Sequence, residues 1–277
     1  DGIPPSSNPA HRLRKPAAAP ARRRSWYHGQ RTCSPADCEL KGGITLKRIL
    51  ITGANRGLGL SFARQSLARG YRVFASCRRP DEAVDLHALA EDHVDQLTPL
   101  RLDVTDEDTI LASARVVERQ EGGLDLLINN AGVNPSGERP GNLEAGTMLH
   151  TFHVNAVGPM LVAQRHLDLL RGGDGPAIIN ISSVLGSLAR KSGGGEYSYS
   201  SSKAALNMLT RALAFDLRSD GIIVVSMHPG WVQTDMGGSA APLTPTESVR
   251  GILDVADGLT LDDTGSFLAH DGRRLPW

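Results

Sequence analysis

The stretch Arg48-Ile49-Leu50-Ile51-Thr52-Gly53-Ala54-Asn55-Arg56-Gly57-Leu58-Gly59 decides the fold. Its residues up to Ile51 form a short, largely apolar run that predicts a buried strand. Apolar residues then recur at helical spacing, which predicts a helix over Leu58–Ala68 that Gly70 ends. The glycines between the two elements therefore lie on a turn from a strand to a helix.

Such a turn presents the free backbone N–H groups of the first helical turn to a ligand. Together with the helix dipole these groups attract an anion, typically a phosphate. Glycine is required because the turn needs unusual dihedral angles and because a Cβ atom would keep a pyrophosphate away. The spacing is G-x-x-x-G-x-G rather than the G-x-G-x-x-G of other dinucleotide folds. On this stretch alone, a plain turn without a ligand stays open.

Composition and charge exclude several classes of protein. The 277 residues are 40% apolar and contain no apolar run near the length of a membrane-spanning helix, so we expect a soluble globular chain with no membrane contact. The formal net charge is zero, but residues 1–47 carry nine Lys or Arg and only three acidic residues. The remainder is therefore acidic, which argues against nucleic-acid binding.

Residues 1–47 are rich in Pro, Ala, Ser and Arg and show no sustained period, which predicts a disordered basic tail. Organelle targeting is a weaker alternative, since the prolines oppose an amphipathic helix, and no secretory h-region is present. Cys33 and Cys38 in the tail and Cys77 complete neither a disulfide framework nor a zinc site. We therefore expect no metal and a reducing, cytoplasmic location.

Residues 48–277 alternate between predicted strands and helices. After the first strand, strands are expected at Tyr71–Ser76, Leu100–Val104, Leu124–Ile128, Ala177–Ile181, Ile222–Met227 and Ser266–Ala269. Helices are expected at Asp81–Ala90, Asp106–Gln120 (with Thr105 as N-cap), Leu143–Leu170 and Tyr199–Arg218. Continuous apolar strands are typical of a sheet that helices cover on both faces. The pattern predicts one α/β domain with a doubly wound parallel sheet, a Rossmann fold, that binds ligands at the carboxyl ends of its strands.

The end of the second strand indicates which dinucleotide would bind. An NAD site places an Asp or Glu here for the ribose 2′-hydroxyl, whereas this chain has Arg78, and Arg56 lies inside the glycine turn. Two guanidinium groups suit a 2′-phosphate, because Arg makes charge-assisted, bidentate bonds to it. We therefore predict NADP(H) over NAD(H); the alternative is that Arg78 and Arg79 are solvated surface charges.

The next two strand ends carry further candidates. Asp103 can accept a hydrogen bond from an adenine amino group while Val104 packs on the ring, although Asp103 is almost as well explained as a cap of the following helix. The turn Asn129-Asn130-Ala131-Gly132 follows strand four. Its small residues would let the backbone pass close to a ribose, but by itself it is only a turn signal.

A phenol and an amine follow strand five. Tyr199 and Lys203 are four residues apart on a predicted helix, so they project from one face, about 6 Å apart along the axis. Such a pair is usually only a surface contact, but here both would reach the strand edge that holds the phosphate turn, as would Ser183. A phenol with a pKa of about 10 is a poor catalyst at neutral pH. A neighbouring ammonium and a cationic nicotinamide are expected to lower that pKa.

These residues together resemble the short-chain dehydrogenase/reductase family, from residue 47 to the end of the chain. The motifs that carry the resemblance occur in the family's order: Thr52–Gly59, Asn129-Asn130-Ala131-Gly132, Asn155, Ser183, Tyr199-x-x-x-Lys203 and Pro229–Met236. Each is weak alone, but all of them at matching places are specific. The ending Gly265–Trp277 is similar to the carbonyl-reductase branch that includes the sniffer and C-factor proteins.

The resemblance implies an NADPH-dependent oxidoreductase that reduces a ketone or aldehyde carbonyl to an alcohol. It implies that Tyr199 is the general acid and that Ser183 orients the carbonyl oxygen. Lys203 would bind the ribose hydroxyls and lower the pKa of the phenol, and Asn155 would hold a water in a proton relay. The residues expected to bind the coenzyme are Gly53, Asn55, Arg56, Gly57, Leu58, Gly59, Arg78, Asp103, Val104, Asn130, Ala131, Gly132, Tyr199, Lys203, Pro229, Val232 and Thr234.

Three features affect the expected pocket. Ser183 and Tyr199 are 16 residues apart, longer than is usual in the family, which indicates an insertion around Gly193-Gly194-Gly195. Tyr197 is a decoy, because only Tyr199 has a lysine four positions later. The segment Gly237–Thr246, where the family places its substrate lid, is short, which favours an open pocket and a broad or small carbonyl substrate.

Two other functions remain open from the sequence. A non-catalytic NAD(P)-binding signalling protein of the C-factor type would keep the dinucleotide site without turnover, but it has no need for the Tyr199 group. A flavodoxin-like FMN domain needs a different phosphate loop. The partners expected are a small-molecule substrate and, since Leu143–Leu170 and Tyr199–Arg218 carry extra apolar residues, a second copy in a homodimer or homotetramer. Ordinary packing on the sheet is the alternative for those residues.

Overall fold

The computed structural model of the protein describes residues 46–277. The predicted tail, residues 1–47, and the tail cysteines Cys33 and Cys38 thus lie almost wholly or wholly outside the described residues. Within this described part of the chain, no helix is long and apolar enough to cross a membrane.

A single parallel sheet organises the fold. Its strands are β1 (Arg48–Thr52), β2 (Arg72–Cys77), β3 (Leu97–Arg101), β4 (Leu126–Asn129), β5 (Ala177–Ile181), β6 (Ile223–His228) and β7 (Phe267–Ala269). They pair in the order β3-β2-β1-β4-β5-β6-β7, and every pairing is parallel. The order reverses between β1 and β4, and this switch point is where doubly wound sheets open a crevice at the carboxyl ends of their strands.

Eight α-helices connect the described strands. They are α1 (Gly57–Ala68), α2 (Val84–Asp92), α3 (Glu107–Glu121), α4 (Ala145–Phe152), α5 (Gly158–Arg165), α6 (Leu167–Arg171), α7 (Tyr197–Leu217) and α8 (Pro245–Asp257). Alternate residues of β1 show how the helices form two layers: Ile49 and Ile51 pack in one apolar core, and Leu50 packs in the other. The predicted doubly wound α/β fold is confirmed.

The predicted helix Leu143–Leu170 is wrong as a single helix. A π-helical stretch, His153–Val157, separates α4 from α5, and the N–H of Gly158 bonds to the carbonyl of His153, five residues back. Pro159 contributes to this break, because it has no N–H to offer the carbonyl four residues earlier, that of Asn155. The break leaves the Asn155 carbonyl without its ordinary helical donor.

Two predicted boundaries around β3 are also wrong. The strand spans Leu97–Arg101 rather than Leu100–Val104, and it includes Pro99. Proline is tolerated there because β3 lies at the edge of the sheet. The N-cap of α3 is Asp106, whose carboxylate accepts from the N–H groups of Asp108 and Thr109, and not Thr105.

A buried ion pair joins the amino-terminal ends of β1, β4 and β5. Asp125 is 2% exposed. Its carboxylate accepts hydrogen bonds from the backbone N–H of Arg48 at 2.7 Å, from the Arg48 guanidinium at 2.9 and 2.6 Å, and from the N–H of Asp174 at 2.7 Å. Burial raises the pKa of Asp125, but these bonds outweigh it and hold the pKa below its usual range. Three strand starts therefore share one carboxylate.

We predict that Asp125→Ala lowers the free energy of unfolding by about 3–5 kcal/mol, because it strands a buried guanidinium. Urea unfolding followed by circular dichroism measures the change. The control is Asp168→Ala, which removes a carboxylate that pairs with Arg171 but is almost fully exposed, and which is expected to cost at most about 1 kcal/mol. Equal losses in the two variants would contradict the structural role of Asp125.

Candidate active site

The glycine turn leads into an uncapped helix. Helix α1 begins at Gly57, and its N-cap, Arg56, makes no side-chain capping bond. The first turn carries no acidic residue. Gly53 and Gly57 have φ angles of +67° and +54°, which only glycine adopts without strain. The N–H groups of the first turn are therefore available to an anion.

The turn packs against the end of β4, as a shared ligand site requires. A Cβ atom at Gly59 would lie 2.1 Å from the carbonyl oxygen of Gly53. The hydroxyl of Thr52 accepts from the N–H groups of Asn130 and Ala131 at 3.0 and 3.1 Å, and the Asn130 amide donates back to the Thr52 carbonyl at 2.8 Å. Thr52 thus holds the two loops together. The glycine motif includes Thr52 but does not by itself indicate this role.

The segment that follows β6 lies across the same turn. A Cβ atom at Gly57 would lie 3.4 Å from the methyl group of Thr234. Arg56 forms an ion pair of 2.9 Å with Asp235, and both side chains are largely exposed. Nearby, the Pro229 carbonyl accepts from Ser248, and Val232 is buried. The structure therefore brings the β6 segment and the glycine turn to one edge of the sheet.

The charged residues that follow β2 and β3 differ in whether another side chain pairs with them. Arg79 forms an ion pair with Glu82 at 2.8 Å, whereas the side chain of Arg78 is exposed and has no ion-pair partner among the described residues. Burial raises the pKa of Asp103, but hydrogen bonds from Thr105 and the charge of Arg78 outweigh it, so the pKa is lowered overall. Arg78 therefore lies close enough to Asp103 to affect its ionisation.

The remaining coenzyme candidates differ in exposure. Asn55 is exposed at the tip of the glycine turn, and Leu58 is half-buried. Val104 is buried in the core, against the backbone of Gly158. The Asp103 carboxylate accepts from the N–H and the hydroxyl of Thr105, and the first-turn residue Thr109 bonds to the Asp103 backbone, so the Asp103 side chain does not cap that helix.

Helix α7 begins two residues before the predicted start, at Tyr197. The carboxylate of Glu138, in the loop after β4, accepts from the backbone N–H of Ser198 at 2.8 Å and from the Ser198 hydroxyl. This long-range contact satisfies a first-turn N–H group of α7, in the position that a local N-cap would take. Tyr199 therefore lies in the first turn of a helix whose start is held by a residue of another loop.

Lys203 is buried beside Tyr199. Its Nζ atom donates to the carbonyl of Ile181, at the end of β5, over 2.7 Å, and lies 5.8 Å from the centre of the Tyr199 ring. Burial lowers the pKa of Lys203 to about 8. One carbonyl acceptor leaves two of the three ammonium protons for other partners.

The pKa of Tyr199 is raised, whereas the sequence predicts that a neighbouring ammonium lowers it. Burial raises the pKa of the phenol to about 12, with a further upward contribution from Glu196, and the hydroxyl of Ser183 lowers it in part. Desolvation penalises the charged phenolate more than the neighbouring groups of the protein stabilise it. The phenol therefore holds its proton at neutral pH and lies within reach of Ser183.

Asn155 and Gly132 complete the cluster. The Asn155 side chain accepts from the N–H of Val133 and donates to the Val133 carbonyl, each at 2.8 Å, and it also donates to Ser202. A Cβ atom at Gly132 would lie 3.3 Å from the Asn155 oxygen and 3.6 Å from the Lys203 Nζ atom. The side chain is thus used to fix the loop, and its backbone carbonyl is the group left for a water.

A cavity of 280 Å³ lies beside this cluster, and the sequence analysis did not predict it. Val184 lines the cavity next to Ser183, together with Arg190, His228, Trp231, His270 and Arg273. His228 ends β6, and His270 follows β7. A polar residue at the end of each strand was the sequence signal that could have identified the two histidines.

The fold and the site define a Rossmann-type α/β protein whose glycine turn, phenol and amine meet at one edge of the sheet. The family model for short chain dehydrogenases matches residues 47–243. The chain belongs to the short-chain dehydrogenase family, whose members include oxidoreductases.

Solved structures and curated relatives agree with this assignment. The NADPH-bound carbonyl reductase from chicken fatty liver is 40% identical, with a TM-score of 0.79, over 84% of this chain and 99% of that one. The carbonyl reductase Sniffer of D. melanogaster is 36% identical, with a TM-score of 0.80, over 84% of this chain and all of that one. The C-signal protein of Myxococcus xanthus is 46% identical over 156 residues, which are 56% of this chain and 94% of that protein.

Proposed function

We propose that this chain is an NADPH-dependent carbonyl reductase that converts a ketone or an aldehyde to an alcohol, with Tyr199 as the general acid. The observation that carries the proposal is the meeting of Ser183, Tyr199 and Lys203 at the sheet edge that also holds the uncapped glycine turn. A bound nicotinamide dinucleotide would supply the hydride to the carbonyl carbon. The protein supplies the proton and the orientation.

The three side chains then have separable tasks. Tyr199 donates its proton to the carbonyl oxygen, and its raised pKa keeps that proton in place until the oxygen becomes basic. The Ser183 hydroxyl holds the same oxygen by a hydrogen bond. Lys203 binds the ribose hydroxyls with its remaining protons. The free carbonyl of Asn155 would hold the water that resupplies protons.

NADP(H) is proposed over NAD(H) because of the residues at the end of β2. Cys77 and Arg78 stand where a 2′-hydroxyl would need a carboxylate, and the Arg78 guanidinium has no competing ion pair among the residues described. A free guanidinium at this position suits a 2′-phosphate. NADPH in the chicken reductase and NADP in a related Pseudomonas aeruginosa carbonyl reductase agree with this choice.

The alternative, a signalling protein that binds NAD(P) without turnover, is not favoured. Binding alone does not require a proton donor at the end of β5, yet Tyr199, Ser183 and Lys203 are all present and in contact or near contact. The chain is similar to the C-signal protein. A signalling role of this chain would depend on the same carbonyl reduction.

A homo-oligomer is also proposed, from one surface. Leu149 on α4, Val157 at the π stretch, and Met208 and Phe215 on α7 are exposed apolar side chains, and α4 lies against α7. Met208 and Phe215 are seven residues apart, so they share one face of their helix. A second copy of the chain would remove this patch from water.

We predict that Tyr199→Phe lowers kcat for carbonyl reduction by about 10²–10⁴-fold, the usual contribution of a general acid. NADPH affinity should change little, since the phenyl ring is kept. NADPH absorbance with a panel of aldehydes, ketones and quinones measures turnover. The matched control is Tyr197→Phe, two residues away with no lysine four positions later. Parent-level turnover in Tyr199→Phe would overturn the acid assignment.

We predict that Arg78→Gln weakens NADPH binding by about tenfold to a hundredfold, because it removes charge-assisted bonds to the 2′-phosphate. NADH binding should be nearly unchanged. Fluorescence titration of both coenzymes gives the two constants. Arg79→Gln is the control, because Arg79 is already engaged by Glu82. A similar loss for NADPH and NADH in the Arg78 variant would contradict the 2′-phosphate role.

We predict that Phe215→Glu shifts the protein toward the monomer, because it puts a charge into the apolar patch. Analytical ultracentrifugation at several concentrations follows the equilibrium. Val84→Glu serves as control, since Val84 is exposed on α2 and is not part of the patch. A parent protein that sediments as a monomer at every concentration would refute the oligomer.

A further inference from the structure

The cavity beside Ser183 is built by the ends of β5, β6 and β7, away from the glycine turn. Val184 follows β5, His228 ends β6, and His270 follows β7. The glycine turn and Arg78 follow β1 and β2, on the other side of the switch point. The cavity therefore adjoins the reacting centre on the side away from the proposed coenzyme phosphates, where the body of a substrate would lie.

The lining of the cavity is cationic. Arg190 and Arg273 both border it. Arg273 is engaged by Asp271, with 2.7 Å between its Nε atom and the carboxylate. The side chain of Arg190 forms no ion pair or hydrogen bond with any residue in the described range 46–277. One exposed guanidinium, that of Arg190, thus borders this space without a counterion in the described part of the chain.

His228 adds a neutral donor. The N–H of Val184 donates to its Nδ1 atom at 3.3 Å, so Nδ1 is an acceptor and the proton of the neutral ring resides on Nε2. Burial is the main cause that lowers the pKa of His228 to about 4; His270 and Arg190 contribute to the lowering, and Asp271 opposes it. At neutral pH the ring therefore offers one N–H group.

His270 leaves a polar atom unused. Its Nδ1 atom is buried and has no hydrogen-bond partner among residues 46–277. A Cβ atom at Gly230 would lie 3.4 Å from that same atom, which places the ring against the cavity wall. Buried polar atoms are rarely left without a partner, and this nitrogen adds a polar group to the wall of the cavity.

We propose that this cavity binds a carboxylate carried by the carbonyl substrate, with Arg190 as the residue that selects for it. The inference rests on the proposed carbonyl reduction and specifies its substrate class. The guanidinium can hold both carboxylate oxygens, and His228 lines the same cavity. Trp231, Leu243 and Leu275 provide the apolar part of the lining for the carbon skeleton between the carboxylate and the carbonyl.

The test compares two aldehydes that differ in one charge, 4-formylbenzoate and its methyl ester, with NADPH as the reductant. The parent enzyme should show a higher kcat/KM for the acid. Arg190→Gln should lower that value by about tenfold or more, as loss of a charge-assisted bond does, and leave the ester unaffected. Arg115→Gln is the matched control: it removes the same charge from an exposed site on α3 that does not line the cavity.

A second measurement separates this inference from the proposed function. Benzoate binding, followed by ligand-observed NMR, needs no turnover and should weaken in Arg190→Gln but not in Arg115→Gln. If neither these aldehydes nor any carbonyl compound of the panel is reduced, carbonyl reduction is wrong, and benzoate binding still decides the carboxylate site. Equal kcat/KM values for acid and ester in the parent, or unchanged benzoate affinity in Arg190→Gln, would overturn the carboxylate site.

Discussion

The arrangement of the site depends on one buried amine. Lys203 Nζ donates to the carbonyl of Ile181, and this bond fixes α7 against the end of β5. Gly186 makes the approach possible, because a Cβ atom there would lie 2.7 Å from the backbone of Lys203. With the helix held at this distance, Tyr199 comes within reach of Ser183, although a long exposed loop separates them in sequence.

The sequence predicts those parts of the fold whose information is local. β5 has the predicted bounds, because Ala177–Ile181 is apolar at every position except Asn180 and carries no competing signal. The start of α7 was wrong by two residues, because Glu138 reaches it from the loop after β4. A contact between residues far apart in the chain leaves no pattern in the local sequence. The broken helix at Pro159 was readable in principle, since proline leaves a carbonyl unpaired.

The site residues divide in the same way, into those that local sequence patterns predict and those that only the tertiary structure brings together. Its glycine turn, the Tyr199–Lys203 pair and Ser183 follow from motif spacing and from the rule that parallel strands end at one edge. Arg190 and His228 belong to no motif, and His270 lies in the ending Gly265–Trp277, whose resemblance gives it no role. The three become neighbours only when β5, β6 and β7 stand side by side. A cavity formed by three distant segments is a property of the sheet order, which strand patterns alone do not determine.

Burial acts on the two central groups in opposite directions, and this gives the site its chemical bias. The same desolvation raises the pKa of Tyr199 and lowers that of Lys203, because each is disfavoured in its charged form. A phenol that keeps its proton can donate it at once to a carbonyl oxygen. Oxidation of an alcohol would require the phenolate, which this environment opposes. The protein's own groups therefore keep the phenol protonated, and a positive charge brought in by an oxidised nicotinamide would act against that preference.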